Sequence, residues 1–485
     1  MKSSDDEITT LSAGKLCECV RTRTLSPVEI MEAHLRRVEA LNPALNAIIT
    51  FAPDALEQAY KAERVVMSGD DLPPLHGLPL TVKDTIDTAG LRTTSGSRVR
   101  AENMPARDAP AVALLRAAGA IVFGKTNASE LALDYNADNS LFGRTNNPHD
   151  LARTPGGSSG GCAAAVSACL SPAGLGSDLA GSIRLPAHFC GITGLFPTPG
   201  RIPQGDHFPP TEGALGMGAS LGPLARRVDD LALLLNVLAR VDDTQVPTSA
   251  NESARFVPAT QLRGLRIACF TDDGAVPVTA ETKSAVESAA RALASAGLET
   301  IEARPPGIER ATELWLALFS RAVRTIVRTE YTGREELAGA SVRSLLEREE
   351  DNSAVALKDF FDAWAERDCL RATLLEWMRE TPLLLAPVGA VPAFAHGVRK
   401  VAVGERQVNI FRAFGYAQAC NVFGLPAVSV PAGRTREEGL PIGIQIIGRP
   451  FQERLVLAAA RMIEEALGGW QPPPFILPSG GVDPL

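Results

Sequence analysis

The chain has 485 residues, 45% hydrophobic and 21% charged, with 48 Lys and Arg against 56 Asp and Glu for a formal net charge of −8. That balance fits a globular protein with a large core and disfavours nucleic acid and anionic membranes as partners. No apolar run reaches the roughly 18 residues of a membrane span, the acidic start MKSSDDEITT is no signal peptide, and the eight cysteines and six histidines lack metal-ligand or disulfide-framework spacing.

These exclusions predict a reduced, cytoplasmic protein with no metal and no cofactor. Residues 25 to 66 read as helical. LSPVEIMEAHLRRVEALNP has Ser26 as cap, Pro27 in the first turn, and Val28, Met31, Leu35, Val38 and Leu41 at helical spacing. PDALEQAYKAERVVMSG is a second helix ending at Gly69. Residues 1–70 are therefore read as a helical cover of the same domain as 71–485.

From there strands and helices alternate. LHGLPLTVKDTID is a strand running into Lys83 and Asp84, APAVALLRAAG a helix, AIVFGKTN a strand and GCAAAVSACL a helix. VDDLALLLNVLARV, AETKSAVESAARALASAG and RLVLAAARMIEEAL read as helices, and 309–380 as mostly helical. LRGLRIACFTDD, LETIEAR, PLLLAPVGAVPAF, LPAVSVPAG and PIGIQIIGRP supply further strands. The alternation predicts an α/β fold with one large, mostly buried sheet. VDDTQVPTSANESARF, 241–256, is the best surface-loop candidate.

Three stretches carry candidate chemistry. GAIVFGKT, 119–126, fits the phosphate-loop pattern, but Ala120, Ile121, Val122 and Phe123 read as a buried strand, which cannot also cradle phosphate. Gly156–Gly160 fits G-x-S-x-G around Ser158, but a nucleophile elbow needs a strand before it, and NPHDLARTP reads as a loop. The third is GSDLAGSIRLPA. Small residues before Ser182 let backbone N–H groups converge on one point, an arrangement that stabilises an oxyanion.

A serine hydroxyl needs a base. His188, in LPAHFCG, reads as a packed core histidine. Lys83 ends an apolar strand, where desolvation favours the neutral amine. Charge pattern alone favours a plainer role, a strand-end lysine paired with Asp84 or Asp87. Within TPGGSSGG, 154–161, one of the two serines can relay a proton, and Ser159 reads more simply as a helix cap.

GLPLTVKD, GKTNASELA, TPGGSSGG, GLGSDLAGSIRLPAHFCGITGL and NVFGLPAVSVPAG together resemble the amidase signature family of serine hydrolases, specifically over 76–200 and more loosely over nearly the whole chain. The resemblance implies a Ser-Ser-Lys triad: Lys83 as base, Ser158 as bridging serine after a cis peptide bond, and Ser182 as acyl-forming nucleophile. It implies an oxyanion hole from the N–H groups of Leu179, Ala180, Gly181 and Ser182. Ala180 stands where the family usually has glycine, Ser177 where threonine is usual, and Phe196 where lysine is common.

The implied activity is amide hydrolysis through an acyl-enzyme. A small-molecule amide or carbamate is the expected substrate, aryl or small and apolar, with no nucleic acid or membrane partner and a homodimer left open. Tyr135 and Phe142, in ELALDYNADNSLFGRTNNP, are candidates for stacking on an aryl group, although loop packing explains them as well. GRIPQGDHFPPTEGALGMGASLGP is a candidate pocket wall. Two other roles stay open: the glutaminase subunit of a tRNA-dependent amidotransferase, whose SSNLARYDG-like stretch is not found here, and a non-catalytic scaffold subunit.

Overall fold

A computed structural model describes residues 4–239, 257–347 and 357–476. The 241–256 loop candidate lies outside the described residues. The strands are Ile48–Phe51 (β1), Pro79–Lys83 (β2), Ile121–Thr126 (β3), Ala173–Asp178 (β4), Thr193–Phe196 (β5), Ser220–Ala225 (β6), Arg266–Cys269 (β7), Glu299–Glu302 (β8), Leu383–Pro387 (β9), Lys400–Val403 (β10), Arg406–Asn409 (β11), Ala427–Arg434 (β12) and Pro441–Gly448 (β13). Eleven of them form one mixed sheet in the order β1-β3-β2-β4-β6-β5-β12-β13-β9-β7-β8, and β10 and β11 form a separate hairpin.

Alternation along the central strands divides the core between two faces. Leu383 and Leu385 of β9 join one apolar cluster, while Leu384 and Ala386 join the other. Val428 and Val430 of β12 and Ile442, Ile444 and Ile446 of β13 belong to the first cluster, which the helices Ala280–Ser295 and Glu453–Leu467 cover. Arg184–Cys190 packs on the same two strands, and Gly415–Phe423 lies in the second cluster. The expected α/β class and single large sheet are what the chain forms.

Local signals hold where they are strong. Ser26 caps Pro27–Leu45: its Oγ accepts from Glu29 N–H at 3.1 Å, and Glu29 returns a bond to Ser26 N–H at 3.0 Å. The stretch 25–66 is not continuously helical, because β1 interrupts it between Pro27–Leu45 and the helix Ala55–Ser68. β1 was missed because AIITF sits between two good helix formers, and its pairing partner β3 is more than 70 residues away. Gly119–Thr126 enters β3, as its apolar residues require. GASLGP, read as pocket wall, instead runs into β6, a central strand between β4 and β5. All eight cysteines are free thiols.

Candidate active site

The site forms where β2 and β4, parallel neighbours, end together. β2 delivers Lys83 and β4 delivers Ser177 and Asp178. TPGGSSGG lies alongside as a wholly buried loop that leads into the helix Gly160–Ser167. A linker would be solvated. A Cβ on Gly157 would collide with the backbone of Asp134, Tyr135 and Asn136, so only glycine lets these two segments touch. The Gly157–Ser158 peptide is cis.

Lys83 is fully buried, and its Nζ lies 2.6 Å from Ser158 Oγ and 2.9 Å from Ser177 Oγ. It makes no ion pair among the described residues. Burial pushes its pKa down to about 7, against the opposing charge of Asp178. The plainer pairing of Lys83 with Asp84 or Asp87 does not occur. Asp84 accepts instead from Thr94 Oγ1 at 2.5 Å and from the N–H groups of Thr94 and Gly96.

Ser182 follows β4 on a tight turn, 8% exposed, and its carbonyl accepts from Ser159 N–H at 3.2 Å. That bond ties the serine-pair loop to the Ser182 turn. Ser159 was expected as a helix cap, but its hydroxyl makes no capping bond. It donates to Ser177 O at 3.2 Å and accepts from Ser177 N–H at 3.4 Å, so its partners lie on β4 and not on the helix.

The turn 179–182 is held at its first two carbonyls by side chains from outside the motif. Trp315 Nε1–H donates to Leu179 O at 2.7 Å, and Tyr135 O–H donates to Ala180 O at 2.6 Å. A trans peptide points its N–H away from its C=O. Ala180 N–H therefore faces away from Trp315, and Gly181 N–H faces away from Tyr135, where Asp178 Oδ1 receives it at 2.7 Å. Gly181 takes φ +104°, which favours glycine there. The N–H groups of Leu179, Ala180 and Ser182 meet no protein acceptor among the described residues.

Asp178 is clamped in turn. Arg184 reaches it through Nε and Nη2, both at 3.1 Å, and Asn421 Nδ2 donates at 3.0 Å. Burial raises its pKa, but the Arg184 charge and these bonds outweigh burial and hold it below the usual carboxylate value. Arg184 also donates to Gln445 Oε1 and Ala417 O, so β13 and the helix Gly415–Phe423 share the network.

The two candidate pocket residues separate. Tyr135 lies at the site, its ring stacked 6.0 Å from Phe411. Phe142 lies apart: Arg92 sits 5.7 Å over its ring and Asn46 Nδ2 donates to its carbonyl. His188 is a core histidine, accepting from Gly443 N–H at 2.6 Å with its other nitrogen 3.0 Å from Val391 O. Sequence reading missed Asp178, Arg184, Trp315 and His207. Asp178 and Arg184 had a signal, two opposite charges inside a glycine-rich apolar run. Among the described residues no group of His, Cys, Asp and Glu is arranged to hold a metal, and no helix is long and apolar enough to cross a membrane.

A family model described as Amidase matches residues 29–457. A glutamyl-tRNA(Gln) amidotransferase subunit from Koribacter versatilis (strain Ellin345) is 33% identical, over 96% of this chain and 99% of that protein. A solved bacterial aryl acylamidase of the amidase signature family superposes with TM-score 0.83 at 26% identity, covering 94% of this chain and 96% of its own. A chain from a vestigial complex linked to the origins of an s-triazine catabolic enzyme superposes with TM-score 0.85 at 28% identity, over 95% and 100%.

Proposed function

The chain belongs to the Amidase family, and on that premise we propose that it hydrolyses an amide C–N bond through an acyl-enzyme on Ser182. The observation that carries this reading is a fully buried lysine amine, with no ion pair among the described residues, 2.6 Å from a serine hydroxyl. An amine whose pKa is near 7 is partly neutral at neutral pH, so it can accept a proton.

In the proposed reaction Lys83 Nζ takes the proton of Ser158 as Ser158 Oγ takes that of Ser182. Ser182 Oγ bonds to the carbonyl carbon, and the carbonyl π electrons move onto oxygen. The N–H groups of Leu179, Ala180 and Ser182 receive that oxyanion. Gly181 N–H is committed to Asp178 and serves the turn instead. Collapse breaks the C–N bond, and the proton returns through Ser158 to the departing amine. Water then cleaves the ester by the same relay. Intact mass during turnover should show an acyl adduct on the wild type and none on Ser182→Ala. Equal turnover by both proteins would refute the assignment.

For the substrate we favour an aryl or small apolar amide, with carbamates in the same class. The support is compositional: Trp315, Phe411 and Tyr135 form a joined aromatic group beside the turn that carries Ser182, with Trp315 and Tyr135 bonded to the Leu179 and Ala180 carbonyls. The amidotransferase relative favours a second reading, ammonia release from glutamine for a partner protein. Release of aniline from an N-aryl amide, measured beside release of ammonia from glutamine, separates the two. Equal rates on anilides and short aliphatic amides would remove the aryl preference.

A further inference from the structure

His207 lies in the Gly/Pro-rich stretch after β5 and is pinned against the residues that follow Lys83. It bridges Ile86, Phe208 N–H donates to Thr85 O at 2.9 Å, and Asp87 N–H donates to Asp206 O at 2.9 Å. The ring is buried, with Nδ1 2.6 Å from Pro209 O and Nε2 2.9 Å from Ser177 Oγ. Ser177 Oγ is also 2.9 Å from Lys83 Nζ. A continuous chain of polar contacts therefore runs from Pro209 O through His207 and Ser177 to Lys83 and Ser158.

We propose that His207 is a positioning residue that fixes the direction of the Ser177 hydroxyl and so keeps the Lys83 lone pair free for Ser158. The inference rests on the acyl-enzyme reading above. The argument is one of proton placement. A carbonyl oxygen only accepts, so Nδ1 carries the hydrogen. A neutral imidazole has one N–H, so Nε2 presents a lone pair and Ser177 O–H donates to it. Burial keeps the ring neutral, its pKa pushed down to about 3. With its proton committed to His207, Ser177 Oγ offers Lys83 only lone pairs, so an N–H of Lys83 turns to it. The amine lone pair is then left for the Ser158 hydroxyl. If Ser177 donated to Lys83 instead, it would occupy the very lone pair the relay needs.

Stated by chemistry, His207 must supply an acceptor at the Nε2 position and a donor toward Pro209. Glutamine has both groups, with its carbonyl oxygen at the required reach. The test is the rate at which a fluorophosphonate modifies the full-length protein, read by intact mass, with melting temperature as the check on folding. In that modification the Ser182 O–P bond forms, the P–F bond breaks and fluoride leaves. His207→Ala and Ser177→Ala should each slow modification roughly 10- to 100-fold, a part of what a general base contributes. The double variant should be no slower than the slower single, because both changes break one chain. His207→Gln should recover to within about threefold of wild type.

Three results overturn the proposal while the acyl-enzyme reading stands, provided Ser182→Ala stays unmodified. They are a His207→Ala rate equal to wild type, additive losses in the double variant, or a His207→Gln rate as slow as His207→Ala in a protein that melts normally. Failure of the wild type to react, or equal reaction of Ser182→Ala, removes both readings together.

Discussion

Two buried lysines sit one strand apart and teach opposite lessons. Lys83 ends β2 and Lys125 lies near the end of β3. In the parallel register Lys125 pairs with Val82, so the two side chains leave opposite faces of the sheet. Burial lowers both, Lys83 to about 7 and Lys125 to about 8. Their partners differ. Lys125 Nζ donates to Ile86 O, to Thr88 Oγ1 at 2.9 Å and to Thr93 Oγ1 at 2.9 Å, with the Asp84 and Asp87 charges nearby. Both threonine hydroxyls spend their own protons on backbone carbonyls. Three acceptors and no donor describe a socket for an ammonium ion. Lys83 instead faces one acceptor, Ser177 Oγ, and one hydroxyl, Ser158, that can give a proton as well as accept one. Desolvation alone does not make a base; a neighbour able to donate a proton does.

Exchanging each lysine for methionine, which keeps most of the shape, breaks the comparison most sharply. Lys83→Met should lower turnover by on the order of 10³- to 10⁴-fold, the scale of a lost general base. It should leave the melting temperature unchanged or raised, since no ion pair is broken and an amine is no longer desolvated. Lys125→Met should do the reverse. Three buried acceptors and the nearby carboxylates lose their cation, a cost of about 3 kcal/mol or more in denaturant unfolding. Turnover per folded molecule should stay within about tenfold of wild type. Equal activity losses in the two variants would mean that the sockets are not chemically distinct.

The pH profile sharpens the same contrast at smaller amplitude. Only neutral Lys83 can accept a proton, so kcat/KM should rise as pH climbs through about 7 and level off above it. Below that point the fall should approach tenfold per pH unit. Lys125 titrates near 8 in its own socket and should leave no inflection in the rate. A profile that declines from pH 6 to 8 would contradict a neutral-amine base.

How far this was legible depends on the range of the signal. The β2 strand ending in Lys83, the buried β3 and the helix after TPGGSSGG follow from apolar runs and local punctuation. The triad positions came from motif resemblance; their residue types alone left Lys83 a plausible partner of Asp84. That carboxylate instead faces Lys125 and caps the Thr94–Gly96 turn, a choice made by a loop ten residues on. His207 and Trp315 gave no warning, because their partners Ser177 and Leu179 lie 30 and 136 residues away in sequence. Contacts of that separation leave no periodic trace. β6 was hidden for a related reason: SLGPLA is too short and too rich in Gly and Pro to read as a central strand.

The smallest expected effect tests whether the turn that carries Ser182 is held from outside the motif. Trp315 Nε1–H fixes the Leu179 carbonyl, and through the rigid peptide it aims Ala180 N–H. Trp315→Phe keeps an aromatic ring against Phe411 and Phe319 but removes the donor. Losing an oxyanion donor outright costs about 10²- to 10³-fold in kcat, so loosening one should cost less, near tenfold. KM should change little, because the donor acts on charge that develops during the reaction. A rise in KM with kcat intact would place Trp315 in substrate binding instead, as a wall of the aromatic group that it shares with Tyr135 and Phe411.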